Sequence, residues 1–266
     1  MIKALTTTLV LLSAAHYALA APKKVIILTN DDFNHASGTH EFYAGGLLLK
    51  DSLEKSNLKD DLSVEVINNW DGDLAKLQGA AALVHYYKGN KAHLLCQGDN
   101  KEKITALAQT GVGQMFVHYG VDCCDDAEHA IGDMTGGYYK DKFSHNPHWT
   151  LNAQLQKHPI NKGLESYSIY DEWYMNIAFE GDLQIGYKNA DTTNQVYSLM
   201  YGKQEDFNKG KRVNAKWKKK KLSPAELTVM WAKEGENGGR GVGFTGAHYH
   251  KTVSYTHLTL PTICSV

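Results

Sequence analysis

The sequence predicts an α/β fold, with a central, mostly parallel β-sheet and helices on both of its faces. Three observations carry this. Short continuous apolar runs recur, such as Val25-Ile26-Ile27-Leu28 and Met115-Phe116-Val117, and runs of that kind fit strands buried on both faces. They are separated by helical stretches, as right-handed βαβ units require. The composition is globular, since 266 residues with 42% hydrophobic and 10% aromatic content can bury a sizeable core. A net charge of −1 gives no reason to expect nucleic acid or an anionic membrane surface as partner.

The elements follow in order. Residues 1–20 carry an early Lys3, an apolar stretch and the small-x-small ending Ala18-Leu19-Ala20, the pattern of a cleaved secretory signal. The mature chain is therefore expected in the periplasm or outside the cell, with no membrane span after cleavage. Residues 24–29 form the first strand, followed by the polar loop 30–35. Thr39 is placed to cap a helix with Phe42, Leu49 and Leu53 on one stripe. Gly45 and Gly46 weaken that helix but let it approach the sheet closely. Residues 63–67 and 81–86 read as the next strands, 101–110 as a helix and 113–119 as the fourth strand.

The second half is less helical. Residues 120–146 read as a long polar loop. Strands are expected at 169–178, 183–187, 228–233 and 241–245, the last two joined as a hairpin. The run Lys218-Lys219-Lys220-Lys221 beside Trp217 reads as a solvated loop. Residues 253–266 resemble the translation of a sequencing adapter and are expected not to be native. Residues 22–252 are then one domain short of its natural end. Cys123 and Cys124 are adjacent, so a bridge from Cys96 to one of them is easier than one between them. An oxidising compartment permits it.

In a parallel sheet the ligand crevice lies beyond the carboxyl ends of the strands. Polar residues concentrate at those ends: Asn30-Asp31-Asp32 with His35, His40 and Glu41; His118-Tyr119-Gly120-Val121-Asp122; and Gly246-Ala247-His248-Tyr249-His250. A fourth group, Asp171-Glu172-Trp173-Tyr174, opens a strand. Converging histidines and carboxylates suit acid/base work or a metal. His118 and His248 are the candidate catalytic acid/base groups, with Glu172 as their carboxylate partner. Asn30, Asp31, His35, Tyr119 and His250 are the candidate substrate-binding residues. His118 and His248 with a carboxylate could instead hold Zn²⁺ with an open position. Gly241-Val242-Gly243-Phe244-Thr245-Gly246 matches a dinucleotide fingerprint but reads as a strand with no helix after it. No nucleophile elbow, Walker loop or zincin motif is present.

Taken together, these pieces resemble the ThuA-like family, named for trehalose utilisation. The resemblance rests on Val25-Ile26-Ile27-Leu28 with the 30–35 loop, Thr39-His40-Glu41, Phe116-Val117-His118, His158-Pro159-Ile160, Asp171-Glu172-Trp173-Tyr174, and Gly239-Arg240-Gly241 through His248. It implies a flavodoxin-like three-layer fold in the class I glutamine amidotransferase-like superfamily. It also implies a pocket at the sheet's carboxyl edge and a small-molecule carbohydrate as partner. Glutaminases of that superfamily carry a nucleophilic Cys on a tight turn after a central strand. Here that strand runs into His118-Tyr119-Gly120 and the cysteines come later, so thioester chemistry is not expected. Two readings follow. One is an enzyme acting on a sugar derivative by acid/base or metal-assisted chemistry. The other is a non-catalytic carbohydrate-binding module that stacks sugars on Tyr86-Tyr87, Tyr138-Tyr139, Trp149, Trp173 and Tyr249.

Overall fold

The computed structural model describes residues 21–31, 35–186, 195–235 and 239–254. The proposed signal, the 255–266 tail and the turn of the last hairpin (236–238) lie outside them. Five strands form the parallel heart of the molecule: β1 (Lys23–Thr29), β2 (Leu62–Asn68), β3 (Ala80–His85), β4 (Gly113–Val117) and, much later, a strand at Arg240–Phe244. Their spatial order is β2-β1-β3-β4-(240–244), all parallel. Counted along the chain this is 2-1-3-4-5, the flavodoxin-like order, with ligands expected outside the carboxyl ends.

Alternation along β1 explains the three layers. Val25 and Ile27 pack into one core with Phe42, Leu49 and Leu53 of α1 (Phe42–Glu54). Ile26 and Leu28 point into the other, with Ile104 of α2 (Asn100–Gln109) and Ile131 of α3 (Glu128–Thr135). A strand buried on both sides has no polar face to show, which is why the run is continuously apolar. The paired glycines of α1 do what their sequence suggests. A Cβ on Gly45 would lie 2.4 Å from the Tyr86 ring, and one on Gly46 would lie 2.6 Å from Thr29 Cγ2.

A long insertion separates β4 from the fifth parallel strand. It contains β5 (Gly137–Tyr138), β6 (His148–Asn152), β7 (Gln154–Leu155), β8 (Ser168–Glu172), β9 (Ala178–Phe179), β10 (Leu183–Ile185) and β11 (Val196–Tyr201). Two short helices follow, α4 (Gln204–Lys209) and α5 (Ala215–Lys218), and then β12 (Thr228–Glu234). The strand at Arg240–Phe244 is thus β13, antiparallel to β12 as the hairpin reading requires. The main sheet runs β10-β11-β12-β13-β4-β3-β1-β2, and β6 pairs with β8 in a separate ribbon that places His148 opposite Glu172. A terminal turn, α6 (His250–Val253), packs against α1.

Several expectations are corrected. Thr39 does not cap α1: its hydroxyl donates to the Ala36 carbonyl, and Glu41 occupies the cap position with its carboxylate accepting from the Gly38 N–H and not from the helix. The fourth strand stops at Val117, where His118 turns into a 3₁₀ segment with φ +51°. The stretch 120–146 is not one loop but holds α3 and β5. The single strand expected at 169–178 is two, β8 and β9. The basic run at 218–221 begins in α5 and is exposed. The disulfide expectation, by contrast, holds: Cys96 bonds to Cys124, one of the two adjacent cysteines, leaving Cys123 as a buried thiol.

Candidate metal centre at the carboxyl edge of the sheet

Four chain segments meet beyond the ends of β1, β4 and β13. His40 precedes α1, His118 follows β4, His248 follows β13, and Glu172 ends β8. All four are buried, His118 completely. His40 Nε2 lies 2.8 Å from His118 Nε2 and 2.8 Å from His248 Nδ1. The last two nitrogens are 3.3 Å apart. Glu172 Oε2 stands 3.3 Å from His248 Nδ1 and 3.6 Å from His118 Nε2.

The backbone around this cluster is strained, and the surroundings hold it so. His40 and His118 have φ of +53° and +51°, and Ala247 has +81°. Left-handed conformations cost non-glycine residues of order 1–2 kcal/mol each and persist where neighbours over-determine them. Here the Tyr86 hydroxyl donates to the Ala247 carbonyl at 2.8 Å, and Asp171 Oδ2 accepts from the Ala247 N–H at 2.7 Å. Burial pushes the Asp171 carboxyl up to about 7. The His118 ring is fixed by its Nδ1, which donates to the Thr245 carbonyl at 2.9 Å. That bond assigns the tautomer: Nε2 carries the lone pair and aims it at the cluster. Burial and the neighbouring His40 and His248 hold the His118 imidazole well below its usual pKa, hence neutral.

This donor set fits a divalent cation. His40 Nε2 touches two other ring nitrogens, and a single N–H can satisfy only one of those contacts, whereas a cation satisfies all three. Tetrahedral zinc with nitrogens about 2.0 Å away sets them about 3.3 Å apart, close to the observed 2.8–3.3 Å. Three imidazoles with a carboxylate beside the fourth position is a zinc-type set.

A second layer surrounds Glu172. Its Oε1 accepts from Asn146 Nδ2 at 3.2 Å and lies 3.3 Å from His148 Nε2. His148 Nδ1 contacts the Tyr249 hydroxyl at 3.2 Å, and Arg212, exposed at the rim, donates to His148 Nε2 at 3.1 Å. Burial lowers the His148 pKa against the opposing pull of Glu172.

The structure thus brings His118, Glu172 and His248 into one cluster. It adds His40, which the sequence placed only near the first loop, and His148, which the sequence did not single out. The other candidates divide. The His35 ring packs 4.1 Å from that of His40, and Tyr119 lies 5.4 Å from it. Asn30 is instead spent on the fold, its Oδ1 accepting from the Lys88 N–H at 2.8 Å. Asp31 faces β2, where Asn68 and Asn69 donate to it at 3.0 and 2.7 Å and lower its pKa. His250 turns outward to the Glu41 carbonyl, 3.1 Å away. Of the aromatics proposed to stack sugars, Tyr86, Tyr87, Trp149 and Trp173 are fully buried in the core.

One other grouping, His93 with Cys96 and Cys123, fails as a metal site. His93 Nε2 donates to the Gly120 carbonyl, its Nδ1 accepts from the Leu95 N–H, and Cys96 is in the disulfide. Among the described residues no helix is long and apolar enough to cross a membrane.

No curated protein matches the sequence. Among solved structures, the fold is similar to that of a ThuA-like protein from Bacteroides uniformis, with 15% identity, 95% of each chain covered and a TM-score of 0.61. It is also similar to part of a β-galactosidase from Rahnella sp. R3, with 12% identity and a TM-score of 0.53, covering 92% of this chain and 31% of that one. The chain spans about a third of that enzyme, and identities this low speak to fold alone. A family model, ThuA, described by trehalose utilisation, matches residues 24–258. That match covers the sheet, the insertion and all four residues of the cluster, and the chain belongs to the ThuA family.

Proposed function

We propose that this protein is a carbohydrate-modifying enzyme whose active centre is a divalent metal site, zinc by its donor set. His40, His118 and His248 are the ligands and Glu172 stands at the open position. The observation that carries the proposal is the convergence of three imidazole nitrogens within 2.8–3.3 Å of one another. A bound ion would supply Lewis acidity toward a substrate oxygen. The residues do the rest. Glu172 Oε2 accepts a proton from the sugar derivative, and Asn146 holds the carboxylate by its other oxygen. His148, 3.3 Å from that oxygen and held by the Tyr249 hydroxyl at 3.2 Å, positions the carboxylate from the rim side. The family description supports carbohydrate as the substrate class. The Cys96–Cys124 disulfide supports a periplasmic or secreted location.

Metal analysis tests the reading. The purified protein is expected to hold about one zinc per chain when reconstituted. His118→Ala is expected to weaken metal binding by more than about 100-fold, since even outer-shell changes cost 10- to 100-fold. Zinc at wild-type stoichiometry in His118→Ala would refute it. Conversion of a panel of disaccharides and keto-sugars, followed by NMR, is expected with metal and lost with chelator. Binding without turnover by metal-loaded protein would favour a carbohydrate-binding module instead, a reading to which the exposed Tyr170 ring lends support.

A further inference from the structure

Glu172 ends β8, and Tyr174 stands two residues further on. Successive side chains of extended chain point to opposite sides, and the run Asp171-Glu172-Trp173-Tyr174 sorts that way. Trp173 is fully buried in the core, edge-on to Phe244 with centroids 5.6 Å apart. Tyr174 returns to the side of Glu172 and packs 4.8 Å from the His118 ring.

Its position is fixed on several sides. The Trp173 N–H donates to the Pro147 carbonyl at 3.1 Å, and the Met175 N–H to the His145 carbonyl at 2.8 Å. The Thr245 hydroxyl donates to the Tyr174 carbonyl at 3.1 Å, while the Thr245 carbonyl holds His118 Nδ1. One residue thus sets both the His118 ring and the Tyr174 backbone. The Tyr139 ring braces the Tyr174 ring edge-on, 5.0 Å away.

The phenol itself has no such anchor. Tyr174 is only 3% exposed. Among the described residues its hydroxyl has one contact, His118 Nε2 at 3.5 Å, against about 2.8 Å for a good O–H hydrogen bond. That nitrogen has a single lone pair. His40 Nε2 already lies 2.8 Å from it, and a cation held by the three imidazoles would claim it. In either case a buried O–H points at the cluster with no acceptor of its own, and buried donors are seldom left so.

We propose that the Tyr174 hydroxyl is the hydrogen-bond donor to the oxygen bound at the open position of the centre, where it stabilises negative charge. This rests on the metal-centre reading above. The ligand class is then an oxygen anion, or an oxygen that becomes one as Glu172 takes its proton. A donor already in place where charge develops is worth more than one that must reorganise. No bond to Tyr174 forms or breaks.

The test uses the full chain loaded with Co²⁺ in place of zinc, titrated with acetohydroxamate and followed by the visible cobalt spectrum. Tyr174→Phe keeps the ring and deletes only the hydroxyl. It is expected to bind Co²⁺ as the wild type does and acetohydroxamate about tenfold or more weaker, as loss of a hydrogen bond to a charged group implies. Tyr139→Phe is expected to leave both unchanged. In the wild type, acetohydroxamate is also expected to red-shift the tyrosine ultraviolet absorption, a readout that needs no variant. The proposal is overturned, with the metal centre intact, if loaded Tyr174→Phe binds acetohydroxamate as tightly as the wild type, if Tyr139→Phe weakens it equally, or if the ultraviolet shift is absent. Loss of more than about tenfold in Co²⁺ affinity by folded Tyr174→Phe would make the phenol a ligand and overturn the donor role. Failure of the wild type to bind Co²⁺ or zinc at all overturns both readings.

Discussion

His118 shows how one residue links sequence to chemistry. It ends a buried strand, so it is carried to the edge where ligands bind, and the Thr245 carbonyl then fixes its tautomer. His248 and Glu172 also end strands or follow them. These three were legible because strand ends were legible. His40 sits in a turn with φ +53°, and His148 opens a strand with no clear pattern. Their approach to the others depends on long-range packing that spacing does not encode. At this scale Ala247 offers a clean test. Its φ of +81° suits glycine, and Tyr86 and Asp171 hold its peptide groups from both sides. Ala247→Gly is expected to raise stability by up to about 1 kcal/mol in urea unfolding, relief of the left-handed strain outweighing the added freedom of the unfolded chain.

At the scale of elements, α1 shows packing overriding propensity. Two adjacent glycines disfavour a helix by about 1 kcal/mol each, yet α1 runs unbroken over them because it must lie close against Tyr86 and Thr29. Gly45→Ala improves helix propensity but places a methyl 2.4 Å from the Tyr86 ring. Overpacking of this kind costs about 1–3 kcal/mol, so the variant is expected to be less stable, with a lowered melting temperature. It is also expected to loosen the Tyr86 anchor on Ala247. The first four strands, α1, α2 and the final hairpin were readable from apolar runs and turn signals. The helix α3 was not, since among its eight residues only Ile131, Gly132 and Thr135 are buried, too few for a stripe. β11 was missed although Val196-Tyr197-Ser198-Leu199-Met200-Tyr201 is as continuously buried as β1, because long polar stretches flank it.

The whole molecule should respond to acid through histidines far from the centre. His85 and His93 are completely buried in the α2 and α3 layer, each satisfied as a neutral ring. Burial lowers their pKa values to about 4 and about 3. In the unfolded chain both take up protons near pH 6.5. Below that pH the unfolded state binds more protons, so stability falls as pH drops from 6.5 toward 4 and is level in this respect above it. At about 1.4 kcal/mol per pH unit for each ring, the pair should cost roughly 4 kcal/mol between pH 7 and 5. Urea titrations at the two pH values measure this, and His85→Gln with His93→Gln should flatten the dependence. Reading the molecule as a whole from sequence succeeded in sheet topology and in bringing His118, Glu172 and His248 together beyond the strand ends. Asn30 and Asp31, polar residues at a strand end expected to bind substrate, make hydrogen bonds within the fold.

The most direct measurement is anomalous X-ray diffraction at the zinc absorption edge from crystals soaked in zinc chloride. The expected result is a single strong peak among His40 Nε2, His118 Nε2 and His248 Nδ1, absent from crystals of His118→Ala. A map with no peak there, while the three imidazoles keep their places, would contradict a metal centre in this protein.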